Sequence, residues 1–456
     1  MKKFADPWLL IAVLVGLVLR VWPVYVWGFG HLVRDEAQYA NLGRNIVLGN
    51  GLISPQDWLW APAYPYMIAL FQKAFFGTPV VETLPYFQGL VGAVTCIAVY
   101  ALTDRVFENR RAAVLAAWMY ALHPTAIFFA GRLWCEGLYG PLLIVTVLVT
   151  LWAREGHFRR GFLVGALLAL CVLFRGVATY MPPIFVLATL WPGPDSDYRA
   201  ALTARYKHAL ALIVALVLCV APYSIHASGK HGGLVISDAT VGNLMYLGNN
   251  DFPPITFDFG NGTFRANVRG ASTRGGRKPC KAKTPTKWNR CEVRRGLGWI
   301  GNNPGTFVGR MPMRTAQLVN PHTFLTRSLR WGKYEGLPWW LKELLVFGIA
   351  GTSFAILLGG TVGASARARG PYAILSIGII GYTVAASAAL YGLTRFRIPV
   401  EPLWMIYLAG LLAQPRVAWK ALMESRLRGW LCVVWTTALL FHMLWYLPTA
   451  WPGWTW

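Results

Sequence analysis

Long apolar runs recur along this chain from residue 8 to residue 447, and no water-soluble domain can bury them all. They lie at about 8–27, 85–103, 112–130, 137–153, 161–174, 178–191, 208–225, 341–360, 371–391, 398–413 and 429–447. A bilayer-crossing helix needs about 20 mostly apolar residues, so the runs predict about eleven spans. Composition agrees: 55% of the chain is hydrophobic, and its mean hydropathy is +0.44. Backbone polar groups in lipid must be satisfied within a helix or a closed barrel, and these runs are helix-length. The expected fold is all-α and polytopic, one membrane domain over 1–456. Two long segments interrupt it: a first outer loop at 28–84 and a basic one at 226–340. Within the first, the apolar spacing after Asp35 and the short "APAYPYMIALFQKAFFG" predict interfacial helices. In the second, "HASGKHGGLVISDATVGNLMYLGNN" reads as short β-like runs among turns, and "WGKYEGLPWWLKELL" as a Trp-rich interfacial helix.

The formal net charge is +24, and its distribution orients the chain. "DRVFENRR", "AREGHFRR", "DYRAALTARYKH", "ASARARG" and "QPRVAWKALMESRLRGW" are all basic and fall on alternate sides of the spans. Excess Lys and Arg mark cytoplasmic loops. That rule leaves 28–84, 226–340 and the turns near Arg132, Arg175 and Arg395 outside. The first run starts at Lys2 and Lys3 without a small-residue cleavage site, which predicts a retained anchor. The outer segment carries twelve basic residues from Lys230 to Arg295, among them Arg269, Arg274, Arg277, Lys278, Lys281 and Lys283. On an outer membrane face they read as contacts for lipid phosphates or acidic glycans rather than nucleic acid, or as a solvated, partly disordered loop. Of seven cysteines, Cys280 and Cys291 fall in this segment, where a disulfide is chemically allowed. No zinc-type spacing occurs.

Charged residues at span ends form the candidate site. "GFGHLVRDEAQYANLGRNIVLGNG" sets Arg34, Asp35 and Glu36 directly after the first run. Asp35 with Gln38 approximates a capping box, whereas a carboxylate at headgroup depth suits a general base or a metal ligand. Arg132 and Glu136, four apart, read as a boundary ion pair on one helical face or as site residues. Arg395 and Arg397 in "YGLTRFRIPVEPLW" read as snorkelling cations or as phosphate ligands. Arg175 interrupts an apolar hairpin, and His226 and Lys230 stand at a span's outer end. Ionisable groups near membrane depth cost roughly 2.5–3.5 kcal/mol each, so they face a cavity or a partner. Carboxylates and arginines gathered at outer span ends suit a lipid-linked phosphate substrate.

These motifs carry a resemblance. "RDEAQYANLGRNIVLGNG", "APAYPYMIALFQKAFFG", "RLWCEGLYGPLL", "ALCVLFRGVATYMPP", "APYSIHASG", "YLGNN" and "LTRFRIPVEPLWMIYLAG" occur in the order of the GT-C superfamily of membrane glycosyltransferases. The branch they resemble holds protein O-mannosyltransferases and lipid A aminoarabinose transferases. The resemblance covers nearly the whole chain except 265–300. It implies inverting sugar transfer from a polyprenyl-phosphate donor to a lipid or cell-envelope glycan, on the extracytoplasmic side of the plasma (inner) membrane. It makes Asp35 the base, Glu36 its neighbour and Glu136 the family's third acid. It assigns Arg395 or Arg397 to donor phosphate, where Arg132, His226 and Lys230 also stand. Relatives often carry an arginine where this chain has His226, and "APAYP" lacks the lysine of the aminoarabinose branch, which weighs against that sugar. Some members use a divalent metal ion (Mg, Mn or Zn). The rival readings are a protein O-mannosyltransferase and, in another class, a lipid-linked sugar flippase or transporter.

Overall fold

The structure, a computed structural model, describes residues 6–28, 32, 35–52, 59–74, 80–192, 198–251, 256–257, 264–265, 280, 282, 284–330 and 334–445. Lys2, Lys3, Arg34, the six basic residues named above between 269 and 283, and the tail from 446 lie outside that set. The protein is a helical membrane protein, as the apolar runs require. Eight described helices are long and apolar enough to cross a membrane: Pro7–Trp27 (α1), Thr83–Phe107, Glu136–Ala153, Arg205–His231, Trp339–Arg367, Gly370–Ala389, Thr394–Ala413 and Arg426–Leu444. A ninth crossing arises if Arg110–Leu122 and Pro124–Ala130, bent by 53° at His123, act as one span. Among the described residues, extended structure amounts to Thr256–Phe257 paired antiparallel with Phe264–Arg265. The β-like runs after Gly232 form bends and the helix Val241–Gly248 instead.

The expectation of about eleven spans is reduced at 161–174 and 178–191. Both are helical, but Arg160–Phe174 has 15 residues and Pro182–Leu190 has nine. Arg175 adopts extended backbone and a 3-10 turn over Gly176–Tyr180 follows, so the hairpin breaks before either arm reaches full length. The helix Arg160–Phe174 packs on Tyr198–His231 through glycines. A Cβ on Gly161 would stand 2.4 Å from the His208 carbonyl oxygen, and one on Gly165 2.2 Å from that of Leu212. Small residues at this spacing let two membrane helices meet backbone to backbone.

The bend at His123 has an identifiable partner. Arg20, 1% exposed inside α1, donates to the Tyr120 carbonyl at 2.9 Å and the Ala121 carbonyl at 3.0 Å. These are end carbonyls of Arg110–Leu122, where i+4 donors run out; the Tyr120 carbonyl otherwise receives only a long bond of 3.4 Å from the His123 N–H. A buried arginine in a span therefore serves as the cap of a broken neighbour.

Thr394–Ala413 is fastened in a similar way. Arg397 is fully buried; its Nε donates to Glu401 Oε1 at 2.5 Å, and its Nη1 to the Leu318 and Asn320 carbonyls at 3.0 and 2.6 Å. Its Nη2 donates to Ser353 Oγ at 3.1 Å. His123 Nε2 lies 3.1 Å from the other oxygen of Glu401, tying the helix to the bend. Cys280 and Cys291 form a disulfide. Replacing Arg397 by Ala leaves Glu401 with His123 alone and strands the Leu318 and Asn320 carbonyls. Thermal unfolding of the detergent-purified variant should show a loss of about 3–5 kcal/mol, the usual consequence of removing one partner of a buried pair.

Candidate active site

The sequence-predicted acids arrive at helix starts. Asp35 and Glu36 open Asp35–Val47, and Glu136 opens Glu136–Ala153. A carboxylate in a first turn interacts favourably with the helix dipole. The helix Asp35–Val47 lies on Ala63–Ala74: Tyr39 meets Tyr64 and Trp60 edge-on, with ring centroids 4.9 Å apart in each case. Gly43 lets the pair close, since a Cβ there would stand 2.3 Å from Ile68 Cγ2. Gln88, 0% exposed in an apolar span, donates to the Ala130 and Arg132 carbonyls at 3.0 and 2.8 Å and accepts from Tyr64 Oη at 2.9 Å. It fixes the turn that carries Arg132 against the first outer segment.

Tertiary packing then pairs the charges. Arg132 donates to both oxygens of Glu36, Nε to Oε1 and Nη2 to Oε2, each at 2.5 Å. Arg175 Nη1 donates to Glu136 Oε1 at 2.8 Å. Arg395 joins the remaining acids: Nη1 donates to Asp35 Oδ2 at 2.5 Å, and Nε lies 3.2 Å from Glu136 Oε1. Its guanidinium sits 4.6 Å above the Trp134 ring. Three carboxylates thus face three guanidiniums, a balance that a water-poor site demands. Burial pushes the Cys135 thiol up to about 12, so it remains an S–H group and donates to Glu136 Oε2 at 3.4 Å.

Exposure separates the acids. The side chains of Glu36 and Glu136 are each 1% exposed, while that of Asp35 is 27%. Of the three, Asp35 is the carboxylate an incoming hydroxyl can reach.

Several sequence-predicted residues stand elsewhere. Arg132 and Glu136 are not partners, because Arg132 lies in the turn before the helix and pairs with Glu36. Arg395 and Arg397 share a helical turn over Thr394–Arg397. Two residues rotate a helix by about 200°, so Arg395 faces the acids while Arg397 is consumed by Glu401 and backbone. His226 and Lys230 are exposed on Tyr198–His231, and Lys230 Nζ approaches Gly51; no described contact joins either to the acids. Sequence reasoning passed over Gln88 and Trp134; a lone glutamine inside an apolar run was the available signal for Gln88. It also passed over Asp238, whose Oδ2 accepts from Thr240 Oγ1 at 2.9 Å. Asp238 packs on Gly176, beside Arg175; a Cβ on that glycine would stand 2.2 Å from the carboxylate.

The acids are engaged by arginines rather than arranged as a metal-ligand set. Each of the three acids is already held by an arginine, and among the described residues no group of three or more His, Cys, Asp and Glu is arranged to hold a metal ion.

Comparisons with known proteins match this architecture. The family described as dolichyl-phosphate-mannose-protein mannosyltransferase matches residues 60–226, which include Arg132, Glu136 and Arg175. Crystal structures of the Archaeoglobus fulgidus oligosaccharyltransferase share the fold. The complex with Zn and sulfate has 17% identity and a TM-score of 0.50, covering 98% of this chain and 53% of that one. The apo form has 16% identity and a TM-score of 0.50, covering 98% and 56%. The chain therefore spans about half the length of the solved structures it matches. Among curated proteins no relative matches the sequence. The class the fold defines is that of polytopic helical membrane proteins built like the archaeal oligosaccharyltransferase. Within it, the chain is similar to the mannosyltransferase family over 60–226 and to the archaeal oligosaccharyltransferase in fold.

Burial raises the Asp238 carboxyl to about 6 from the ordinary 3.8. The folded chain then holds a proton between these values that the unfolded chain has lost. Its stabilising contribution is complete below about pH 3.8 and disappears as pH rises through about 6. Stability measured across that window should fall with rising pH, and Asp238→Asn should remove this component of the slope.

Proposed function

We propose that the chain transfers a sugar from a polyprenyl-phosphate donor to a hydroxyl acceptor, with Asp35 as general base. The observation that carries this reading is the Asp35–Arg395–Glu136 bridge, with Asp35 the exposed end. The acceptor O–H gives its proton to the Asp35 carboxylate while its oxygen bonds to the anomeric carbon. The bond from that carbon to the phosphate oxygen breaks, and the phosphate leaves with the electron pair. Attack opposite the leaving group inverts the anomeric centre. Negative charge grows on the departing phosphate, and a preorganised guanidinium stabilises it there. Arg395 is the guanidinium placed to do so. It turns from carboxylate to phosphate as the donor arrives and leaves Asp35 to the acceptor. Arg132 and Arg175 hold Glu36 and Glu136 and keep the cluster assembled. No step is routed through a metal.

The acceptor we favour is a lipid or cell-envelope glycan. A protein acceptor is the second reading, supported by the family matched over 60–226. A flippase would have no use for an exposed carboxylate against a bridging arginine. We also place the site on the extracytoplasmic face of the plasma (inner) membrane. Alternating basic loops and the Cys280–Cys291 disulfide support this face, since disulfides persist in oxidising compartments. The same arrangement keeps 1–456 as one membrane domain with outer insertions at 28–84 and 226–340.

Asp35→Asn separates chemistry from structure. Asparagine still accepts a hydrogen bond from Arg395 but takes no proton. Transfer from purified polyprenyl-phosphate sugar to a membrane extract should fall roughly 10²–10⁴-fold, with donor binding and detergent stability retained. Near-wild-type transfer by a stable variant would sink the assignment of Asp35 as base.

A further inference from the structure

One short helix lies where three spans stop or start. Pro415–Glu424 follows Thr394–Ala413, precedes Arg426–Leu444, and packs on Gly360–Arg367, the end of the span Trp339–Arg367. Its ten residues reach about 15 Å, half of a hydrocarbon core of about 30 Å, so the helix lies along the membrane boundary. Its side chains sort into rows one helical turn apart. Ala418, 0% exposed, and the half-buried Leu422 form the row against the protein. Trp419 and Met423, each 66% exposed, stand about 100° round the helix from that row. Arg416 and Lys420, both exposed, stand about 160° from it.

The two outward rows indicate what covers them. Arg416 and Lys420 are like charges one turn apart, an unfavourable arrangement on a bare helix. Glu424 lies 3.5 Å from Lys420, but the two side chains are 64% and 75% exposed, and an exposed pair contributes little. Arg369 and Arg426 are exposed as well, and among the described residues neither they nor Arg416 makes an ion pair. Over 360–370 and 415–428, six cations stand against Glu424 alone. Arg428 donates to the Ala366 carbonyl at 3.1 Å and so fastens this corner of the molecule. Exposed Leu427 and Trp430 continue the apolar surface from Met423 into the next span. An indole-bearing apolar row beside a cationic row belongs to a helix lying in a bilayer interface. An acidic protein would answer the cations but not an apolar surface continuous with the lipid-facing side of a span, whereas anionic phospholipid answers both.

We propose that Pro415–Glu424 is a docking surface for anionic phospholipid of the adjoining leaflet, with Trp419 and Met423 in the acyl boundary and Arg416, Lys420, Arg369 and Arg426 at the lipid phosphates. Gln414 alone separates this helix from Thr394–Ala413. Bound lipid therefore also fixes the far end of the span whose first turn carries Arg395.

The test uses the full chain in nanodiscs of mixed phosphatidylcholine and phosphatidylglycerol, one lipid or the other carrying a diazirine near its headgroup. After photolysis, peptides from 415–430 should be labelled by both lipids, with an excess from phosphatidylglycerol. Arg416→Gln combined with Arg426→Gln should lower that excess roughly tenfold or more, since each cation near an anionic surface is worth about fivefold. Trp419→Ser should reduce labelling by both lipids alike. Label from neither lipid would mean that protein or water covers the helix, and equal label from the two would mean apolar contact without charge selection; either overturns the docking surface. An excess that survives the double variant, or labelling unchanged in Trp419→Ser, overturns it too. If the variants do not fold, salt decides on the wild-type chain. The phosphatidylglycerol excess should fade toward about 1 M salt, where charges are screened beyond about 3 Å, and an excess that persists there refutes the surface.

Discussion

Arg395, shared between Asp35 and Glu136, is the interaction on which the site depends. A guanidinium is planar and permanently charged, and it offers donors in several directions, so one side chain can answer two carboxylates at once. Without it, two acids would face each other in a place that excludes water, and one would have to leave or take a proton. Arg132 and Arg175 repeat the arrangement around Glu36 and Glu136. The six charges come from chain positions between 35 and 395, so their neutrality exists only once the spans have packed. The ion pairs specify an assembly that the apolar helices make possible.

Where the helices stop is as important as where they run. Asp35, Glu136 and Arg395 sit at helix starts, and Arg175 caps a helix end. Short apolar helices, a bend at His123 and the break at Arg175 leave backbone and charged groups inside the packed region. Lipid tolerates such irregularity only where protein covers it. Arg20 shows the covering directly, donating to carbonyls at the end of Arg110–Leu122. The broken elements form a rigid frame, and the reactive side chains are mounted on their ends.

Arg397 and Arg395 illustrate how one motif divides its labour. Within a single turn one arginine reaches the acids and the other binds Glu401, Ser353 and the backbone of 318–320. The second sets the shape of the wall on which Trp134 and Phe324 stack. A variant at either position would disturb the acidic cluster, by different routes: one through its charge and one through the frame.

Much of this was legible in the amino-acid order. Helix-length apolar runs dictate a polytopic α-helical membrane protein, because lipid leaves the backbone no other partner. Charged residues at the ends of those runs are too costly to be idle, which singled out Asp35, Glu36, Arg132, Glu136, Arg175, His226, Lys230, Arg395 and Arg397, and packing gathers six of these nine. Two cysteines close together in one outer segment suggested the disulfide. The span count was less legible, because hydropathy measures apolarity and not whether a helix survives Arg175 and the paired prolines after it. Partnership was hidden as well. Spacing allowed an Arg132–Glu136 pair and left Arg395 and Arg397 as two candidates for one role, whereas packing joined Arg132 to Glu36 and turned Arg397 away. Sequence spacing governs neighbours one helical turn apart, but a guanidinium settles on whichever carboxylate the fold brings within hydrogen-bond reach. That distance is set by the contact of helices far apart in the chain, and only the tertiary structure decides it.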